Sequence, residues 1–586
     1  MKDSRCTRLG APLLVLSLSS WSGVVKAWTN HFVHNPQRHS SARNPGVAWR
    51  GRPSYRVGPL RELVVTDQSF RPTRGVPLHA TGSRDGRATQ ADIEWDEDEY
   101  DFDQQKSMDE YRTQFQALAA ETSQNPHAVQ QAQDLFDELY KAYIMTEDAS
   151  YWPGTDIYNL LLETHAYSPH KNGAVEAEAI VARMEQQEHG VARPNVATYA
   201  KLMEAWTQRK RLDKVTAVWE RIAEQGLQPN ISTYNKLIKA YGVAGKAEQA
   251  LQVLEDLLLQ HQGKDNNKEE DDQTDAETST KPTQKTWVQV LRAFASKKYV
   301  RNGEGVDQIQ ALLRRMAQAY RQGEADWKPG VDAYNSLLKA MSFQKGSGKE
   351  SESVLYGMLE QFREGEEALR PNAGSFYHVL HAYRGDKDAG VSFKVEKLIQ
   401  LQEALAVERN DPNDPARTTT RVYNAAMAAL SRTKDPQKAV RAKRFMDRMN
   451  LQHNDPDMRP NEATYTSLLN ACAYTTEGEP ADKLAAFQIS VDALKEIRQS
   501  PSISTNSKMF GLFLRGCANL MPHSRKRDAV VESVFASCCD EGYISDYVLE
   551  QFERAASEQL QLKVLGGFLV DGVETPAAWR QNVVRE

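Results

Sequence analysis

The stretch that opens Val196-Ala197-Thr198-Tyr199 and closes Gln228-Pro229-Asn230 is followed at once by Ile231-Ser232-Thr233-Tyr234-Asn235, so the chain repeats itself after 35 residues. At 586 residues it is too long for one hydrophobic core, and a tandem repeat constrains it more than any local motif. The same opening recurs at Tyr158-Asn159, Trp287, Tyr334-Asn335, Phe376, Tyr423-Asn424, Tyr465-Thr466 and Phe510. With the aromatic as fourth residue, units begin at 155, 196, 231, 284, 331, 373, 420, 462 and 507.

Within a unit the apolar residues follow the aromatic at three, four and seven positions, as in Tyr234, Leu237, Ile238 and Tyr241. That spacing lines one face of an α-helix. A short polar loop and a second periodic run, such as Ala247, Ala250, Leu251 and Leu254, predict a second helix, so each unit is a helical hairpin. A lone hairpin leaves an apolar face in water. Stacking the units covers it and predicts an all-α superhelical solenoid with a concave groove over 155–543. Residues 104–154 read as a partial N-terminal repeat, and 544–586 as a capping helix and tail.

A 35-residue unit opening Thr233-Tyr234-Asn235-Lys236-Leu237 and closing on Pro-Asn resembles the pentatricopeptide repeat. The tetratricopeptide repeat fits less well, because Leu162, Met203, Ile238 and Leu338 stand where it places glycine. The resemblance implies a right-handed superhelix that binds single-stranded RNA in an organelle, with roughly one base per unit read by two or three side chains. It puts one reader directly after the aromatic and its partner at the unit's last residue. The complete polar pairs are then Asn159 with Asn195, Asn235 with Thr283, Asn335 with Asn372, Asn424 with Asn461, and Thr466 with Asn506. By the same resemblance the Asn/Asn pairs look like pyrimidine readers and Thr466 with Asn506 like an adenine reader. Ala200, Val288, Tyr377 and Gly511 occupy the reader position in the other units, which are expected to space rather than read. Asparagine also suits helix caps and turns; its recurrence at one offset favours binding. Lys285, Arg421 and Lys508, three residues before the reader position, are candidates for phosphate contact.

With 73 basic and 79 acidic residues the net charge is -6, so any RNA site must be local. Acidic residues concentrate in two tracts of low apolar content, read as a disordered linker at 81–103 and a disordered insertion at 263–280. At the N-terminus, basic residues and the apolar run Ala11–Val25 read as a signal peptide, residues 1–27. Residues 28–80 carry eight arginines, no lysine and two acids, as transit peptides do. Together they resemble bipartite presequences that lead to a plastid, with a mitochondrial presequence as the alternative.

The five cysteines form no CxxC motif, and Cys472 and Cys517 fall on apolar faces. His378 and His381 share a helix face without a third ligand in view. The chain lacks the His-x-Glu with Cys-x-x-Cys of a zinc deaminase and the clustered aspartates of a metal nuclease. No cofactor, metal, catalytic activity, membrane or small-molecule substrate is therefore expected. Single-stranded organellar RNA is the expected partner, with organellar ribonucleoprotein proteins beside it. A protein-binding scaffold of an organellar, ribosome-associated complex is the rival reading.

Overall fold

The structure, a computed structural model, describes residues 106–583 apart from 124, 126, 147, 187–191, 266–278, 302, 410, 412, 452–454 and 568–574. The presequence at 1–80, the linker at 81–103 and most of the acidic insertion lie outside the described residues. Every regular element among the described residues is helical, and none is long and apolar enough to cross a membrane.

Nine hairpins follow one another. Their first helices are Thr155–Tyr167, Val196–Gln208, Ile231–Val243, Gln284–Phe294, Val331–Met341, Ala373–Ala382, Thr420–Leu430, Glu462–Ala473 and Ser507–Leu520. Their second helices are Gly173–Gln186, Leu212–Glu224, Ala247–Asp265, Glu304–Arg321, Gly348–Arg363, Val391–Val407, Lys438–Leu451, Pro480–Gln499 and Arg525–Asp540. Each first helix packs on its own second helix and on the first helix of the next hairpin, which makes a helical solenoid of two layers.

Each first helix begins at the residue where the aromatic-led opening puts the start of a unit, and capping explains why. Asn195, Asn230, Asn372 and Asn461 are N-caps whose side chains accept from the backbone N–H three residues on. The residue there is Thr198, Thr233, Ser375 or Thr464, and in three of these the hydroxyl also receives the cap's own N–H. Such a cap is worth about 1 kcal/mol. The aromatic that follows is turned into the core: Tyr199, Phe376, Tyr423 and Phe510 are wholly buried.

Tyrosine in a core needs a partner for its hydroxyl, and the neighbouring second helices supply it. Tyr199 donates to Glu185 at 2.7 Å, and Arg221 holds the same carboxylate; Tyr423, Glu403 and Arg448 repeat the arrangement five hairpins later.

Both ends depart from the sequence expectation. Within the stretch read as a partial repeat, the described residues hold two helices, Met108–Glu121 and Ala128–Thr146, with Tyr111 and Phe115 buried. Its first helix carries few apolar residues, so the periodic signal was weak. At the other end two helices, Asp546–Ala555 and Glu558–Leu565, replace the single capping helix. The hairpin at 284 contains an additional short helix, Lys297–Arg301, and the second helix before the acidic insertion runs on to Asp265. The core divides near Ile238 into an N-terminal cluster and a longer C-terminal one, and Tyr241 and Val253 pack against both.

Candidate functional site

Because first helices lie side by side, the fifth residue of one helix faces the N-cap of the next. The Asn159 amide donates to Asn195 Oδ1 at 3.4 Å, Asn335 to Asn372 Oδ1 at 3.1 Å, and Asn424 to Asn461 Oδ1 at 3.3 Å. Each accepting oxygen also caps its helix, receiving Thr198, Ser375 or Thr464 N–H. The second member of each pair therefore has a structural task that fixes its amide, with the oxygen toward the backbone.

The other two pairs are not joined by a direct hydrogen bond among the described residues. Asn235 is only 7% exposed, tucked into the helix packing, and its oxygen has no partner among the described residues. Thr283 caps the next helix through its N–H to Thr286 Oγ1 at 3.1 Å. Asn506 caps through Met509 N–H at 3.0 Å, while Thr466 stays partly exposed. The amide oxygens of Asn159 and Asn424 likewise accept nothing among the described residues. An unpaired acceptor costs roughly 1–3 kcal/mol.

The units without a polar pair have physical reasons. A Cβ at Gly511 would stand 2.3 Å from the Tyr547 ring, so that position is covered by the next helix. Ala200 and Val288 are buried. Tyr377 instead carries the Arg421 guanidinium 4.0 Å from its ring centre.

Charge along the first helices is uneven. Toward the N-terminus four cations are ion-paired, Lys201 with Glu163 at 2.5 Å, Lys236 and Lys239 with Glu204 at 2.7 and 2.5 Å, and Arg292 with Asp332 at 3.2 Å, while Lys285 has no ion pair among the described residues. Burial raises the Glu204 pKa, but the two lysines outweigh it and hold the carboxyl at about 2. Beyond Asp332 no ion pair forms with Lys339, Arg384, Arg421, Arg432 or Arg515 among the described residues. Arg432 stands 4.5 Å from the Tyr474 ring centre; Arg515 bonds the Tyr474 hydroxyl and Gln551, and lies 5.8 Å from the Tyr547 ring. Burial lowers the Lys339 pKa, and Arg292 and Arg421 lower it further. Burial, then Lys339 and Arg421, push His378 down to about 3.

An open cavity of about 1160 Å³ runs past Tyr377, His381, Arg384, Arg421, Asn424 and Asn461. A smaller one of about 380 Å³ holds Asn335, Lys339, Asn372 and His378. Both combine an Asn/Asn pair with cations, an arrangement able to hydrogen-bond a flat polar edge and offset negative charge. Lys285, Arg421 and Lys508 are all exposed, in keeping with phosphate contact. The sequence reading missed Lys339, Arg384, Arg432, Arg515 and the two tyrosines. A signal was present: Lys339 and Arg515 lie one helical turn beyond the reader position, on the same face. His378 and His381 belong to no group of three metal-ligating side chains among the described residues, and Cys472 and Cys517 are buried free thiols.

A sequence profile described as Pentatricopeptide repeat domain matches residues 180–244, and one described as PPR repeat matches 232–259. No curated protein matches the sequence. Among solved structures, the chain is similar to the pentatricopeptide repeat protein PPR10 from maize, at 16% identity over 78% of this chain and 59% of that one, with a TM-score of 0.36. It is also similar to PPR10 in complex with an 18-nt psaJ RNA element, at 16% identity and a TM-score of 0.31. The chain thus spans 59% of the length of those relatives.

Proposed function

This chain is a pentatricopeptide repeat protein, and on that premise we propose that it binds single-stranded RNA along the face formed by its first helices. The observation that carries the reading is the repeated pair: Asn159–Asn195, Asn335–Asn372 and Asn424–Asn461 each meet amide to amide at the same place in their hairpins. An amide offers both donor and acceptor to a base edge, and only unpaired bases present that edge. Thr466 and Asn506 offer the same groups with a hydroxyl in place of one amide. A net charge of -6 is no obstacle, because the unpaired cations collect on this face.

Binding is the whole of the mechanism. The pairs contact bases, the cations offset phosphate charge, and occupancy of an RNA segment shields it or keeps it unfolded. We assign no catalytic step. The site of action is a plastid reached through the secretory route, a reading supported by the apolar run Ala11–Val25 and the arginine-rich, acid-poor residues 28–80. Transcript stability, processing, splicing and translation are all steps that occupancy serves.

Fluorescence anisotropy of the whole chain against labelled single-stranded and duplex RNA tests the binding. Single strands should bind at least tenfold more tightly, a difference of about 1.4 kcal/mol. Absence of any RNA binding would leave the protein-scaffold reading in its place. A fluorescent fusion of residues 1–80 tests the address, and its arrival in mitochondria or the medium would overturn it.

A further inference from the structure

Among the cations on or just after the first helices, two groups have distinct partners. Lys201, Lys236, Lys239 and Arg292 each reach across to a carboxylate on the adjoining first helix, Glu163, Glu204 or Asp332. The pattern is systematic, since every one of these bridges joins consecutive first helices. An ion-paired lysine has little charge left for a phosphate, and an incoming phosphate would also meet the carboxylate. Glu204 is 1% exposed and draws both Lys236 and Lys239 inward, so although the trio keeps one net positive charge, both ammonium groups are already engaged.

From the hairpin at 331 onward the partners change from carboxylates to aromatic rings. Arg421 stands over Tyr377 at 4.0 Å and Arg432 over Tyr474 at 4.5 Å, and Arg515 lies between Tyr474 and Tyr547. A ring orients a guanidinium without neutralising it. These arginines keep their full charge, present flat surfaces on which a base can stack, and adjoin the open cavity at Arg421 and Asn424. Burial first, and then the neighbouring cations, Arg421 among them, lower the pKa values of Lys339 and His378.

We propose that RNA is held by the C-terminal part of the array, from the hairpin at 331 to the helix at Asp546, on an arginine–tyrosine track made of Arg421 with Tyr377 and of Arg432, Tyr474, Arg515 and Tyr547, while the hairpins at 155, 196 and 231 hold no RNA because their own carboxylates close them. The proposal rests on the RNA-binding reading and sharpens it. Base preference should come from Asn335–Asn372, Asn424–Asn461 and Thr466–Asn506, and not from Asn159 or Asn235.

Two triple variants of the whole chain separate the halves with equal changes of charge. One carries Arg421→Gln, Arg432→Gln and Arg515→Gln; the other carries Lys201→Gln, Lys236→Gln and Arg292→Gln, which leaves Glu204 its bond to Lys239. The probe is a fluorescein-labelled single-stranded RNA of randomised sequence, long enough to span the array, titrated at several salt concentrations. Circular dichroism melting confirms that both variants are folded. The C-terminal triple should weaken binding at least tenfold and flatten the dependence of log Kd on log salt by about 2, from roughly 0.7 per lost phosphate contact. The N-terminal triple should leave the slope unchanged. If both triples weaken binding and flatten the slope alike, the partition is wrong although the chain binds RNA; if the wild-type chain binds no RNA at all, the underlying reading fails and the track with it.

Discussion

The guanidinium of Arg421 lies 4.0 Å from the centre of the Tyr377 ring, bridging the first helices of two consecutive hairpins. Tyr377 occupies the position where Asn335 and Asn424 stand in the hairpins on either side. The unit that lacks an amide pair thus has a stacked cation in its place, and the face stays continuous between two amide pairs.

If Arg421 and Tyr377 act together on RNA, their substitutions should not add. Arg421→Gln and Tyr377→Leu should each cost on the order of 1 kcal/mol of RNA affinity. The double variant should cost clearly less than the sum, since each single change already dismantles the stack. A double-mutant cycle on Kd measures this, and strict additivity would show that the two residues act independently.

The helix starts were legible because two signals coincide there: the buried aromatic and, four residues before it, a cap such as Asn195 or Asn461. The hairpin at Met108–Glu121 was hard to read because its helix buries only Tyr111 and Phe115, although Tyr111 stands fourth in the helix as the aromatics of the other units do. Pairing of the fifth residue with the last was legible too, as Asn335 and Asn372 meet. Burial of Asn235 was not, because side-by-side packing of helices sets it and no residue type announces it. Nor was the partition of charge: Glu204 and Arg421 look alike in sequence as solvated charges, and only the fold brings one to lysines and the other to a ring.

Asn424 and Asn461 divide two tasks between one pair. Asn461 Oδ1 caps its helix, so Asn461→Ala should lose about 1 kcal/mol of stability. Asn461→Asp should keep most of it, since aspartate caps equally well. Asn424 only donates to its partner, and its own oxygen is unsatisfied, so Asn424→Ala should be near neutral in stability while weakening RNA binding. Urea denaturation of the three variants checks the order; a larger loss in Asn424→Ala than in Asn461→Ala would reverse the assignment.

Glu204 makes stability depend on acid. Its folded pKa of about 2 lies below the ordinary carboxylate value of 4.5 because Lys236 and Lys239 outweigh the cost of burial. The contribution, on the order of 3 kcal/mol, is therefore complete above about pH 4.5 and is lost as pH falls toward 2. Glu204→Gln should melt lower than the wild type at neutral pH, and the gap should close through that window. A gap that stays constant with pH would show that shape rather than charge is what Glu204 provides.

His378 adds a second dependence at milder pH. Burial, with Lys339 and Arg421 beside it and His381 on the same helix, lowers its pKa from 6.5 to about 3, so the folded protein keeps it neutral where the unfolded chain would take up a proton. Folding stability is then greatest above about pH 6.5 and declines as pH falls toward 3, over a range that begins well before Glu204 responds. His378→Leu should flatten the upper part of that decline. Lys339→Gln should soften it, because one of the repelling cations is gone. RNA on the face should do the same, since phosphates beside Lys339 and Arg421 make a proton on His378 less costly. Melting temperature followed against pH, with and without single-stranded RNA, measures all three. An identical decline in the wild type and His378→Leu would remove this histidine from the account, and an RNA-bound profile as steep as the free one would mean that the phosphates do not come near it.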